Sequence, residues 1–278
     1  MSYVKRIVSH FSQALMAGSW PLPPALQGEA VMTSASSPTL DALTRKLESI
    51  ASLSDEEKQA VENLPLTIRA LRPGQDIARE GDCPPHCAVI LQGWTFRYKQ
   101  LREGRRQILS FHVAGDMLDL QSLHLPVMDH SLGVLTDAKV AFIPHESIRN
   151  LTARFPGISA ALWRDTLIDS AIYRERITGL GCRSAAQRIA HLFCELYLKL
   201  EAAGLAHDLH CSLPLTQADL GEALGLSTVH VNRSLQNLRA AGLITVSNKL
   251  LTIKDWQQLK RISKFDPLYL HLQQNTAA

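Results

Sequence analysis

Cys83, His86 and Cys87 fall within five residues and are of the kinds that ligate soft metals. Only these three candidate ligands are visible together, and Pro84-Pro85 between them marks a loop. The spacing therefore favours a loop thiol and a strand thiol that hold no metal. His112, His124, His130 and His145 add no ligand spacing. No phosphate-cradling glycine loop, G-x-S-x-G elbow or H-E-x-x-H helix occurs. No nucleophile, base and orienting group can be paired, so no catalytic residue is nominated and an enzyme is not expected.

What the residue types do offer is recognition. From Thr216 to Ile244 the chain reads T-Q-A-D-L-G-E-A-L-G-L-S-T-V-H-V-N-R-S-L-Q-N-L-R-A-A-G-L-I. Thr216 can cap a helix, with Asp219 three residues on as its acidic first-turn partner. Leu220 and Leu224 share one face. Gly225 supplies the left-handed residue that ends the helix, and Ser227 can cap a second one. Val231, Leu235 and Leu238 continue the apolar face until Gly242. Gly221 is small where the two helices would cross, and Leu226 can plug the angle between them. This is the pattern of a helix-turn-helix, whose second helix enters a DNA major groove.

Two domains fit within 278 residues. No apolar, uncharged run is long enough to span a membrane. Net charge is +3; the residues from Leu180 onward carry 10 Lys+Arg against 7 Asp+Glu, and the first 179 carry 19 against 19. The small excess that would favour phosphates thus lies in the C-terminal part. Five cysteines, an odd number, follow no secretory leader, which points to a reduced, cytoplasmic protein.

The elements that must position this motif follow from the periodicity. Met1–Ala17 is compatible with a short amphipathic helix. Trp20–Leu40 holds four of the 13 prolines and reads as a flexible tail. Leu40–Leu53 and Ser54–Glu62 read as short helices, the second with a capping box. Between Pro65 and Pro144 lie Leu66–Leu71, Ala88–Leu91, Trp94–Leu101, Arg106–Val113, Leu132–Leu135 and Val140–Ile143, separated by Gly, Pro and Asp. Short strands at that spacing predict an antiparallel sandwich or barrel. A short helix over His145–Phe155 precedes one opened by Pro156 and running to about Thr178. On that helix Ile158, Ala161, Leu162, Ile168 and Ile172 make one stripe, on which Asp165, Asp169 and Arg176 also fall. A helix pairing with its own copy would use such charges to fix register. Gly179 and Gly181 suggest a hinge, and Ser184–Ala203 another helix. Leu243–Val246 and Leu250–Ile253 form a hairpin around Ser247-Asn248-Lys249, the wing of a winged helix. Asp255–Ile262 closes that domain.

This order resembles the Crp/Fnr family of bacterial transcription regulators. The resemblance covers about Leu43 to Leu259. It rests on R-P-G-Q-D-I-A-R-E-G-D, L-Q-G, G-R-R-Q-I-L, A-G-D and L-T-D-A-K-V-A-F-I-P in the first half. In the second half it rests on R-S-A-A-Q-R-I-A, L-P-L-T-Q-A-D-L-G and the recognition-helix region through G-L-I. It implies an α+β chain: a tail over 1–40 and a cyclic-nucleotide-binding-like jelly-roll sensor over 41–155. A dimerisation helix over 156–180, a winged helix-turn-helix over 181–264 and a C-terminal tail over 265–278 would follow. It also implies a homodimer through Ile158, Leu162, Asp165, Ile168, Asp169, Ile172 and Arg176. Double-stranded DNA would be the main partner, with RNA polymerase a further candidate and no membrane.

Departures from the family qualify the signal. Relatives that bind cyclic AMP carry G-D-x-x-G-E-L, whose Glu accepts the ribose hydroxyl, and then R-S/T-A, whose Arg clamps the phosphate. Here Gly115-Asp116-Met117-Leu118-Asp119-Leu120 stands in the first place. Counting back from Leu135-Thr136-Asp137 puts Met128 at the Arg position with Asp129 beside it. A phosphate would lose its cation and meet a carboxylate, so cyclic AMP is not expected. The oxygen-sensing branch needs four cysteines for an iron–sulfur cluster, and this N-terminal tail has none. No axial His can be nominated for haem, which stays open as a cofactor.

In the recognition helix, Arg233 matches a family Arg that can grip guanine O6 and N7. Val229 stands where many relatives have Glu and could touch a thymine methyl. Thr228, His230 and Asn232 share that run, His230 and Asn232 as candidate base contacts. Thr216, Gln217 and Ser227 match positions that hold phosphates. The expectation is a sequence-specific, homodimeric transcription regulator with an unidentified effector. The alternative is a ligand or redox sensor whose winged domain serves protein contacts.

Overall fold

A computed structural model describes residues 31–32 and 40–273. The expected helix over 1–17 and nearly all of the proline-rich tail lie outside the described residues. Strand β1 (Val31–Met32) is followed by helices α1 (Asp41–Glu48) and α2 (Asp55–Glu62). The Ser54–Glu57 capping box forms at the head of α2. Next come β2 (Thr67–Leu71), β3 (Asp76–Ala78), β4 (His86–Gln92), β5 (Thr95–Gln100), β6 (Arg106–His112), β7 (Ser131–Val134) and β8 (Ala138–Pro144). They make two antiparallel sheets, ordered β1-β2-β8-β4 and β3-β7-β5-β6. The expected sandwich is present. β3 has only three residues, too few to show an alternation, and lies outside the expected strands.

Helices α3 (His145–Arg154), α4 (Pro156–Cys182) and α5 (Ala185–Ala202) follow. At 27 residues α4 is about 40 Å long. The expected hinge at Gly179 and Gly181 is not one, because α4 runs through both glycines to Cys182. Side chains secure this end of the helix: Arg188 donates to the carbonyl of Leu180 at 2.8 Å, and Arg183 to that of Glu175 at 3.4 Å. The chain turns instead at Arg183, whose backbone is extended.

The C-terminal part holds β9 (Ala206–His207), β10 (His210–Ser212), α6 (Gln217–Leu224), α7 (Thr228–Ala240), β11 (Ile244–Ser247), β12 (Leu250–Ile253) and α8 (Trp256–Ser263). The wing is wider than expected, since β10 and β9 extend it to the order β11-β12-β10-β9. The β9–β10 turn is made by Asp208 and Leu209, both at positive φ, and carries no glycine to betray it.

The stripe on α4 is buried, but within its own chain. Ile158, Leu162, Ile168 and Ile172 are all 5% exposed or less. Their charged neighbours find partners there too. Asp165 lies 3.6 Å from Lys46 of α1. Asp169 accepts from Arg97 of β5 at 2.6 Å. Arg176 donates to Glu195 of α5 at 2.8 Å. These seven residues, expected in a dimer seam, face the β-sandwich, α1 and α5 of their own chain.

A charged cluster joins these elements. Asp116 lies 3.5 Å from Lys46, 3.6 Å from Lys199 and 3.4 Å from His112. Burial, reinforced by the charge of Arg97, pushes the pKa of His112 down to about 4, against the pull of Asp116. In the unfolded chain this imidazole protonates near its ordinary value of about 6.5. Its contribution to stability is therefore present above about pH 6.5 and lost as pH falls toward 4. Burial pushes Asp119 up to about 7, which acts with the opposite sign over the same window, so the test must be a difference. Relative to a His112→Asn variant, the wild type should lose roughly 3 kcal/mol between pH 7 and pH 4. Urea unfolding at the two pH values measures this. Parallel curves for the two proteins would show that His112 titrates normally.

Candidate nucleic-acid interface

The site is built from two capped helices. Thr216 accepts from the Asp219 backbone at 3.1 Å and donates through its hydroxyl to the Asp219 carboxylate at 2.6 Å. The Asp219 carboxylate also accepts from the Thr216 backbone, which closes a capping box. Gly225 ends α6 at φ +63°, in the left-handed region. Gly221 is required by space: a Cβ there would sit 2.6 Å from the Leu226 carbonyl oxygen. Ser227 then caps α7 by accepting from the His230 backbone at 3.3 Å. Val231, Leu235 and Leu238 bury the inner face of α7 against α5 and the wing.

The outer face is open to solvent. Thr216, Gln217, Ser227, Thr228, Val229, His230, Asn232 and Arg233 are all exposed, Val229 to 64%. Gln217, Thr228, Val229, Asn232, Arg233 and Gln236 line one shallow concavity. Asn232 donates to the Gln217 side chain at 3.3 Å, which ties the readout helix to the first helix. The His230 ring nitrogen lies 2.9 Å from the Ser227 hydroxyl, so its ring is drawn toward the cap. Gln236 was missed from sequence. It lies three residues beyond Arg233, so helical spacing alone could have nominated it.

The sensor positions are also placed. Met128 is 2% exposed and packs with Leu118 and Leu132. The Asp129 carboxylate is exposed and pairs with His130 at 2.6 Å. Lys99 reaches this corner but is held by Glu80 at 2.7 Å. Asp119 is turned inward and accepts from the Ala88 backbone at 2.7 Å. No described cation in this corner is free to hold a phosphate. Calorimetry with millimolar cyclic AMP should therefore show no heat of binding. A saturable isotherm with a micromolar constant would overturn this expectation. Cys83 is exposed in the loop before β4, whereas Cys87 is buried against Ser122. Among the described residues no three His, Cys, Asp or Glu side chains converge on a metal-sized site.

Comparison with known proteins agrees with this architecture. A profile of the cyclic nucleotide-binding domain matches residues 68–155, and one of the Crp-like helix-turn-helix domain matches residues 187–262. The chain is 23% identical over 211 residues to the fumarate and nitrate reduction regulatory protein of Escherichia coli, covering 76% of this chain and 84% of that one. It is 25% identical over 195 residues to electron transport regulator A of Shewanella oneidensis, covering 70% and 78%. In three dimensions it is similar to FixK2 from Bradyrhizobium japonicum. The TM-score is 0.66 at 24% identity, over 73% of this chain and all of that one. The first two of these relatives are regulators by name.

Proposed function

The chain belongs to the Crp/Fnr family of transcription regulators, and from that premise we propose how it reads DNA. It acts as a homodimer, with one α7 from each subunit in successive major grooves. The observation that carries this reading is the continuous exposed face from Gln217 to Gln236, polar except for Val229, at the mouth of a capped helix-turn-helix. Thr216, Gln217 and Ser227 hold phosphates through side chains and helix N-termini. Arg233 reads guanine, and Val229 contacts a thymine methyl. Thr228, His230, Asn232 and Gln236 supply the remaining contacts.

The dimer face is the side of α4 opposite the buried stripe. Trp163, Leu167 and Ile177 are 66%, 49% and 69% exposed. With Ser170 and Arg174 they recur at alternating steps of four and three, the spacing of a two-helix seam. A second copy covers them about a two-fold axis. RNA polymerase is a candidate partner of the DNA-bound dimer. Among the described residues no helix is long and apolar enough to cross a membrane, and we place the protein in the cytoplasm with its DNA. Selection of binding sites from a random duplex library tests the reading. It should return an inverted repeat whose half-sites are about one helical turn apart. A selected motif without dyad symmetry would refute it.

A further inference from the structure

Residues 265–278 were expected to be a tail, and the described part of that segment, 265–273, is packed. Asp266 accepts from the Leu268 backbone at 3.0 Å and starts a short turn over Pro267–Leu270. Phe265 and Leu270 are 6% and 2% exposed. The Tyr269 hydroxyl donates to Glu195 of α5 at 2.8 Å, and the other oxygen of that carboxylate accepts from Arg176 of α4. The His191 ring stacks on Tyr269 with centroids 5.8 Å apart and meets Phe265 edge-on at 5.0 Å. Further along, the His271 carbonyl accepts from Arg164 of α4 at 3.5 Å. The Gln273 backbone then donates to the carbonyl of Ser49, the residue that ends α1, at 2.7 Å. One short run thus touches the DNA-binding domain, the long helix and the first helix of the β-domain.

Other contacts hold the same pair of domains, two hydrogen bonds among them. Lys199 of α5 donates to the Phe111 carbonyl at 3.2 Å. Arg106 at the start of β6 donates to Glu222 of α6 at 2.6 Å. With the domains held this way, Thr228, Val229, Asn232 and Arg233 remain uncovered.

We propose that residues 265–273 form a strap that fixes the DNA-binding domain in one orientation on α4 and α1, and so sets how α7 is presented to DNA. Its last clause rests on the DNA-binding reading given above; the mechanical part does not. The strap works by bridging: each end bonds a different element, and the aromatic middle fills the space between α4 and α5. Because Glu195 is shared by Tyr269 and Arg176, displacing the strap also loosens the union of α4 with α5.

Hydrogen exchange on the full chain without DNA tests the strap directly. Tyr269→Phe combined with Gln273→Pro removes one hydroxyl and one backbone donor and leaves Phe265 and Leu270 in place. Exchange at residues 47–51 and along α5 should rise about tenfold, the scale expected for losing one hydrogen bond to a charged group. Exchange inside the β-sandwich should not change. Affinity for the selected duplex should fall by a similar factor while affinity for random duplex holds. Unchanged exchange would show that the segment fixes nothing. Raised exchange with equal or tighter operator binding would show that the strap does not preset the DNA-binding orientation. Should the double variant unfold, Gln273→Pro alone, near the end of the chain, makes the same comparison. A wild type that selects no duplex at all counts against the DNA reading, while the exchange measurement still judges the strap.

Discussion

Replacing Arg233 by Ala should cost on the order of 2–6 kcal/mol on the selected operator. One bidentate contact to guanine is worth roughly 1–3 kcal/mol, and a two-fold dimer makes it twice. Arg233 is exposed and has no described ion-pair partner, so no intramolecular contact must be broken before it binds. For the same reason the substitution leaves the fold intact, which separates lost recognition from lost stability. Random duplex should suffer much less, because phosphate contacts dominate there. The companion change is Val229→Glu. It should move preference at its base pair toward C, since a carboxylate accepts from cytosine N4. Site selection with wild type and both variants reads all three outcomes. An Arg233→Ala motif that keeps its guanine would mean that another side chain occupies the groove.

The second large effect separates the two sides of α4. Arg176→Ala should destabilise the protomer by about 3–5 kcal/mol and leave the dimer alone. It strips its ion-pair partner from Glu195, which is 3% exposed and keeps only the Tyr269 hydroxyl. Trp163→Glu combined with Ile177→Glu should do the reverse. Both residues lie in water in the single chain, so stability is nearly unchanged, while two carboxylates per helix face their copies across the axis. Sedimentation should find monomers for this pair and dimers for Arg176→Ala, and denaturant titration should rank them the other way. A dimer that survives the paired change would put the interface elsewhere than on α4.

The helix-turn-helix was legible from sequence because its signals are local. Thr216 with Asp219, Gly221, Gly225 and Ser227 all act within a few residues, and each does what its chemistry requires. The α4 stripe was legible as a buried face, but not as to what buries it. Periodicity reports that a side of a helix leaves water; it carries no address. The partners Lys46, Arg97 and Glu195 come from α1, β5 and α5, and their approach is a property of the whole fold. The strap was illegible for another reason. Its anchors Phe265, Tyr269 and Leu270 follow no strand or helix period. At the site, residue type suggested a base contact for Val229, while Gln236 was within reach of the sequence through its spacing from Arg233, and the shared concavity brings the two together.

One apolar cluster runs without interruption from Trp94, Phe96 and Phe111 of the β-sandwich through Ile168 and Ile172 of α4 to Phe193, Leu235 and Leu259. A gene that encodes this reader therefore cannot be treated as two interchangeable cassettes. Grafted onto a foreign sensor, the winged part would arrive with a raw hydrophobic flank where β5, β6 and α4 had covered it. Recombination that keeps such a hybrid soluble must carry those strands along or rewrite the flank.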